Sequence, residues 1–262
     1  LFTSKRTAHN TTRLKDRLYV NLNYRFKDST VSNSPKPGYK YMEPGLYMFP
    51  AYQDTIRSCI LHSPLNPKKE YAYSDLGFIL LKFAVEHVTE KSLDQYCQEE
   101  FYRKLGMHHT DFLAHKRLNK NNLVPSCVDK LYRKTELKGY VHDPIAALLG
   151  GIAGHAGLFS TAEDLAKMMQ LYLNGGTYGG EYYFSPETMA TFSCKNNLFP
   201  KNRRGLGFDK PEPDQTKINP VSKCLPLTSF GHTGFTGIMA WCDPDNKLLY
   251  LFLSNRTYPD EF

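Results

Sequence analysis

Gly231-His232-Thr233-Gly234-Phe235-Thr236-Gly237 leads into two apolar, aromatic runs, Phe235 to Trp241 and Leu248 to Ser254, joined by Asp243-Pro244-Asp245-Asn246-Lys247. β-favouring residues on either side of a turn-forming linker predict an antiparallel hairpin. His232-Thr233-Gly234 then stands just before a strand. Its glycine lets another backbone or a ligand come close, while Thr233 and His232 offer a donor and a possible cation to a carboxylate or carbonyl. Taken alone, a histidine and a threonine between two glycines also read as a plain turn.

Upstream the pattern is helical. Ala51 to Leu61 carries Ile56, Ile60 and Leu61 at helical spacing and ends before Ser63-Pro64. Asp75 is placed to cap a helix running to about His87, with Leu76, Ile79, Leu80, Phe83 and Ala84 as its buried stripe. Ser92-Leu93-Asp94-Gln95 has capping-box spacing for a helix through Tyr102 that stops near Gly106. Ser160-Thr161-Ala162-Glu163 repeats the device for a helix to Leu173, and Ser185-Pro186 opens a short one. The first 50 residues show no sustained period and contain the breaker Ser34-Pro35-Lys36-Pro37-Gly38, which predicts a surface segment wrapping a lobe or bordering a pocket. The expected organisation is a wrapping segment over 1–50, a mainly helical lobe over 51–200 and sheet strands over 201–262. Helices followed by strands define an α+β fold rather than alternating βαβ units.

The 262 residues, 41% of them apolar, suffice for a buried core. The longest apolar stretch, Leu76 to Val88, is interrupted by Lys82 and Glu86 and is too short to span a membrane. The formal charge of +7 comes from lysines and arginines scattered among 26 acids, with no dense basic block, so it does not point to nucleic acid. The six cysteines form no C-x-x-C pair; half or more are expected to be buried, with room for one disulfide in an exported protein.

Tyr73-Ser74-Asp75 puts a phenol and two short polar groups at a helix entrance, where the helix dipole favours negative charge. A phenol ordinarily ionises near pH 10, so proton transfer through it at neutral pH needs neighbouring cations. Gly150-Gly151-Ile152-Ala153-Gly154-His155-Ala156-Gly157 packs small residues around His155, allowing a loop to pass close to other chain or to substrate. His142, Asp143 and His155 lack the repeated short spacing of a metal site, so histidines hydrogen-bonded within a loop are the better reading. No G-x-S-x-G, G-x-x-x-x-G-K-[ST] or G-x-G-x-x-G pattern occurs, which argues against nucleoside triphosphate or dinucleotide ligands.

In this order, Tyr73-Ser74-Asp75 running into Leu76-Gly77-Phe78, then Gly150 to Thr161, then His232-Thr233-Gly234 resemble the serine β-lactamase-related family: class C β-lactamases, D-Ala-D-Ala peptidases and esterases of the same fold. The likeness runs from about Phe49 to Pro259, and Tyr73 to Lys82 and Arg204 to Pro211 look most like the domains fused to family 3 glycosidases in Bacteroidetes-type bacteria. The resemblance implies a β-lactamase/penicillin-binding-protein-like fold with a helical lobe and an antiparallel sheet. It also implies an exported, periplasmic or envelope-associated protein, a peptide or small-molecule substrate, no cofactor, and a fused or associated glycosidase. It casts Tyr73 as the proton shuttle and Asp75, His232, Thr233 and Gly234 as substrate contacts. Phe235 would lie beside an oxyanion hole of backbone N–H groups, and His155 and Gly157 in a loop near the site.

Three departures qualify what the resemblance implies. Asp75 stands where the family usually has asparagine and would repel a substrate carboxylate. His232 replaces a lysine and supplies a cation only below roughly pH 6.5. No serine is followed three positions on by lysine, so the nucleophile motif is expected before Leu1, and the family's opening strands and closing helix are expected outside this stretch as well. Two readings follow: part of a serine hydrolase that cleaves amides, esters or β-lactams through an acyl-enzyme, or a non-catalytic module that holds cell-wall peptide or glycan for an attached enzyme.

Overall fold

The computed structural model describes residues 11–15, 18–21 and 30–260, except 66, 68, 69, 200 and 201. In chain order the elements begin with strands β1 (Thr11–Lys15), β2 (Leu18–Asn21), β3 (Val31–Ser32), β4 (Lys40–Glu43) and β5 (Leu46–Met48). Helices α1 (Tyr52–Leu61), α2 (Leu76–Thr89) and α3 (Leu93–Cys97) follow, the last continuing as a π-helical turn over Gln98–Tyr102. After α4 (Ala114–Arg117) and a 3-10 turn (Lys120–Asn122) come the β6 (Pro125–Asp129) and β7 (Thr135–Lys138) pair and α5 (Pro144–Leu148). Then α6 (Ala162–Leu173), β8 (Thr177–Tyr178), β9 (Glu181–Tyr182) and α7 (Pro186–Ser193) precede the C-terminal strands β10 (Phe230–Gly234), β11 (Ile238–Asp243) and β12 (Leu248–Leu253).

All the strand pairs are antiparallel, so the fold is α+β. The sheet that matters for function has the order β10-β11-β12. His232 pairs with Ala240 and Gly234 with Ile238, while Trp241 pairs with Tyr250. One face of this sheet packs on α6 and α7 through Phe230, Ala240, Cys242, Leu249 and Leu251 against Met169, Tyr172 and Met189. From the other face of β12, Leu248, Tyr250 and Phe252 project into solvent, each more than half exposed.

The helices start and stop within about two residues of the sequence expectation, but several of the capping side chains differ. α6 is capped by Thr161, whose hydroxyl accepts from the Asp164 N–H, because Ser160 is drawn away to the Thr110 hydroxyl. Ser92 makes no side-chain cap to α3; Glu86 reaches over from α2 and accepts from the Leu93 N–H at 3.0 Å. Asp75 makes no side-chain cap to α2 either, and the Ser74 hydroxyl accepts from the Leu76 N–H instead. Of the stripe expected along α2, only Ile79 is fully buried, and Leu76 is 43% exposed. The first-50 segment is not all surface: Val31, Leu46 and Met48 join α2 and α5 in one core cluster. Its reading over 1–29, apart from β1 and β2, lies outside the described residues. All six cysteines are free, only Cys127 and Cys242 being fully buried.

A buried ionic cluster ties this core together. Arg133, 3% exposed, donates to Glu43 at 2.6 Å, to Asp129 at 2.6 Å and to the carbonyls of Val141 and His142. Burial pushes the Glu43 carboxyl up despite Arg133 beside it. At Asp129 burial also pushes up, but the Arg133 charge and hydrogen bonds outweigh it and hold that carboxyl below its usual range. Removing the guanidinium leaves two carboxylates buried without a cation, so Arg133→Met is expected to cost about 3–5 kcal/mol. A urea midpoint unchanged from the parent protein would contradict this.

Candidate active site

The loop ahead of α2 delivers Tyr73 to the start of β10. The two rings of Tyr73 and His232 lie 6.3 Å apart between centroids, and Tyr73 is 64% exposed. The residue that joins them is Arg204. Its guanidinium carbon sits 4.9 Å from the centre of the Tyr73 ring, and its Nη1 lies 2.7 Å from His232 Nε2. Because a guanidinium only donates, His232 Nε2 accepts this bond, and Nδ1 donates to the Thr233 carbonyl at 2.7 Å. The ring is thereby fixed as the Nδ1–H tautomer. The permanent positive charge at this corner belongs to Arg204.

Arg204 is held from behind. Asp209, 3% exposed, accepts from Arg204 Nη2 at 3.0 Å and takes Arg203 through both carboxylate oxygens at 2.8 Å. The Asp209 backbone pairs with Gly231, so the clamp is bolted directly onto β10. Gly231 is required there by sterics: a Cβ would lie 2.3 Å from the Ala240 carbonyl and 2.6 Å from the Trp241 ring. Tyr71 borders the same corner; burial raises its phenol while Arg204 pulls it the other way.

Beyond Gly234 the chain turns through Phe235 and Thr236, and this turn forms one wall of a cavity of about 1080 Å³. The Gly154–Thr161 loop, including His155 and Gly157, lines the same cavity. Gly154 lets that loop press on α2, since a Cβ there would meet the Phe78 carbonyl at 2.2 Å. Phe235 is 61% exposed between the His142 ring, 5.2 Å away, and the Arg256 guanidinium, 4.8 Å away. His155 donates from Nε2 to Asp143 at 2.9 Å, as expected of a histidine hydrogen-bonded within a loop.

The structure therefore brings Tyr73 and His232 together, and it places Gly234, Phe235, His155 and Gly157 around one cavity. Thr233 is exposed on β10, which includes the His-Thr-Gly segment expected to precede a strand. Asp75 is exposed at the start of α2. Arg204 and Asp209 are the site residues that sequence reasoning missed. Their only sequence signal is the likeness of Arg204 to Pro211 to other domains, which carries no role.

A helical portion thus stands beside an antiparallel sheet, with Tyr73 ahead of α2 facing His232 on β10. Residues 36–262 match the beta-lactamase family, and the chain belongs to that family. It is 35% identical over 213 residues to an Escherichia coli (strain K12) protein named "Putative D-alanyl-D-alanine carboxypeptidase", covering 76% of this chain and 48% of that one. The chain thus spans about half the length of the curated relatives it matches. Among solved structures, the octameric penicillin-binding protein homologue from Pyrococcus abyssi superposes with a TM-score of 0.52 at 20% identity, over 80% of this chain and 45% of that one. A penicillin-binding protein homolog from Caulobacter crescentus gives 0.50 at 18% identity, over 73% and 54%. These two likenesses support the fold.

Proposed function

We propose that the protein carrying this chain is a serine hydrolase that cleaves amides or esters ending in a free carboxylate, with peptidoglycan-like peptides as the first substrate class to test. The observation that carries this reading is Arg204, a clamped cation between Tyr73 and the His-Thr-Gly strand. A carboxylate entering this corner would meet the guanidinium charge, which strengthens a hydrogen bond to an anion. The carboxypeptidase name of the relatives points the same way, and an envelope location is part of the proposal on that ground. An attached glycosidase rests on the family likeness alone.

In this mechanism a serine oxygen from outside these residues attacks the scissile carbonyl and forms the acyl-enzyme C–O bond. Its proton passes through the Tyr73 oxygen to the leaving nitrogen or oxygen as that bond breaks. Water then attacks the acyl-enzyme, and a proton of that water passes through the same phenol to the serine oxygen as the acyl C–O bond breaks. Arg204 fixes the leaving group by its carboxylate, so the carbonyl is presented in one orientation. Asp209 keeps the guanidinium from swinging away.

The full-length protein is expected to cleave the terminal bond of a D-Ala-D-Ala peptide with a free carboxylate about 10²-fold faster than that of the matching carboxamide, which releases D-alaninamide. Equal rates would remove the carboxylate from the recognition scheme. No covalent adduct in a folded full-length protein would favour the binding-module reading instead.

A further inference from the structure

The turn between β10 and β11 borders the large cavity, and the segment after β12 holds it in place. Gly234, Phe235 and Thr236 line the cavity, and the Gly237 N–H closes the turn on the Gly234 carbonyl at 3.0 Å. Gly237 stands at φ +106°, where a Cβ would lie 2.3 Å from Ser254 Oγ and 3.1 Å from Arg256 Cγ. Only glycine lets the two segments come this close. Ser254 donates to the Gly237 carbonyl through its N–H at 3.0 Å and its hydroxyl at 2.8 Å, and the Arg256 N–H donates to the Thr236 carbonyl at 3.1 Å.

The same segment is anchored further along. Thr257, fully buried, donates from its hydroxyl to the Ser126 carbonyl at 2.6 Å, and the Pro259 carbonyl accepts from the Val128 N–H at 2.8 Å. The backbone of Arg256 is therefore fixed between the turn and β6. Its side chain is exposed and makes no ion pair among the described residues; the guanidinium carbon lies 4.8 Å from the centre of the Phe235 ring, which the His142 ring approaches at 5.2 Å. The N–H groups of Phe235 and Thr236 donate to no other group among the described residues. Two uncommitted donors on a fixed turn, just past His232 on the same strand, suit an oxygen that gains negative charge during a reaction.

We propose that Arg256 is a positioning residue for the hydrolytic reaction: by holding the Phe235 ring it keeps the β10–β11 turn in the conformation in which its N–H groups meet the scissile carbonyl oxygen. The proposal rests on the hydrolase reading and deepens it. Arg256 acts through Phe235 and takes no part in the proton path through Tyr73. As the serine oxygen bonds to the carbonyl carbon, the carbonyl oxygen becomes negative, and a turn free to rock gives it weaker hydrogen bonds than a pinned one.

The test is steady-state hydrolysis of one ester by the full-length protein and its variants. Arg256→Gln keeps much of the stem and removes the cation; it is expected to lower kcat about tenfold with KM within about twofold of the parent protein. Arg256→Lys puts an ammonium over the same ring and should restore kcat to within about threefold. Phe235→Leu removes the ring instead and should lower kcat to a similar level, with little further loss in the double variant. An unchanged kcat in Arg256→Gln overturns the proposal, and so does a loss confined to KM, which would make Arg256 a substrate contact. Hydrogen exchange reads the pin without turnover: the Gly237 amide should exchange at least about fivefold faster in Arg256→Gln while the amides of β12 are unchanged. Equal exchange at Gly237 overturns the proposal. If the unaltered protein takes up no fluorophosphonate and cleaves no ester, it is the hydrolase reading that fails, and exchange alone decides whether Arg256 holds the turn.

Discussion

Replacing Tyr73 by Phe in the full-length protein is expected to lower ester and amide hydrolysis by about 10²–10⁴-fold, the range that a positioned proton-transfer group contributes. The substitution removes only the oxygen. The ring that Arg204 covers at 4.9 Å is kept, so the guanidinium should stay where it is. Tyr73 is 64% exposed, and stability should remain within about 0.5 kcal/mol of the parent protein. Loss of turnover with an unchanged unfolding midpoint identifies a chemical role. Retained turnover would take Tyr73 out of the reaction and leave its contact with Arg204 as a packing feature.

The second large effect is expected at Arg204. Arg204→Gln removes the cation from the corner while leaving a shorter polar side chain there. On substrates with a free carboxylate, kcat/KM should fall by about 10²-fold, equivalent to about 2–3 kcal/mol of lost transition-state binding. On the matching carboxamides it should change little, because they never used the charge. Arg204→Lys should rescue only part of the loss, since an ammonium cannot reproduce the planar fork that bonds Asp209 and His232 together. A uniform loss on both substrate types would mean that Arg204 supports Tyr73 or the strand and does not hold a carboxylate.

The parts of the fold legible in sequence are those whose signals are local. The β11–β12 hairpin shows as two apolar, aromatic runs around a Pro-Asp-Asn turn, and α7 shows as serine then proline at its first turn. β10 reads only as the approach to a strand because Gly231-His232-Thr233-Gly234 has no apolar alternation; it is a strand because it hydrogen-bonds to β11 on one side and Asp209 on the other. The short strands β3 to β5 fall among prolines, glycines and tyrosines, and are at most four residues long, too short for a period to register. At α3 the cap departs from its local pattern because Glu86, on the preceding helix, accepts from the Leu93 N–H.

The candidate site divides the same way. Tyr73 and the His-Thr-Gly segment stand out because each sits in a short pattern that matches a family. Arg204 does not, because its contact with His232 spans 28 positions and nothing local distinguishes it from the arginine beside it. The same applies to the Asp143–His155 pair. Both residues are conspicuous in the sequence, but that they meet, Nε2 donating to Asp143, is a property of three-dimensional packing.

The central claim is that this site works with a serine to form an acyl-enzyme. Its most direct test is the intact mass of the full-length protein after incubation with a fluorophosphonate, followed by peptide mapping. One adduct per molecule is expected, on a serine outside the stretch from Leu1 to Phe262, and it should form much more slowly in the Tyr73→Phe variant. A folded protein that gains no mass, or that is labelled at a residue unaffected by Tyr73, would contradict the account.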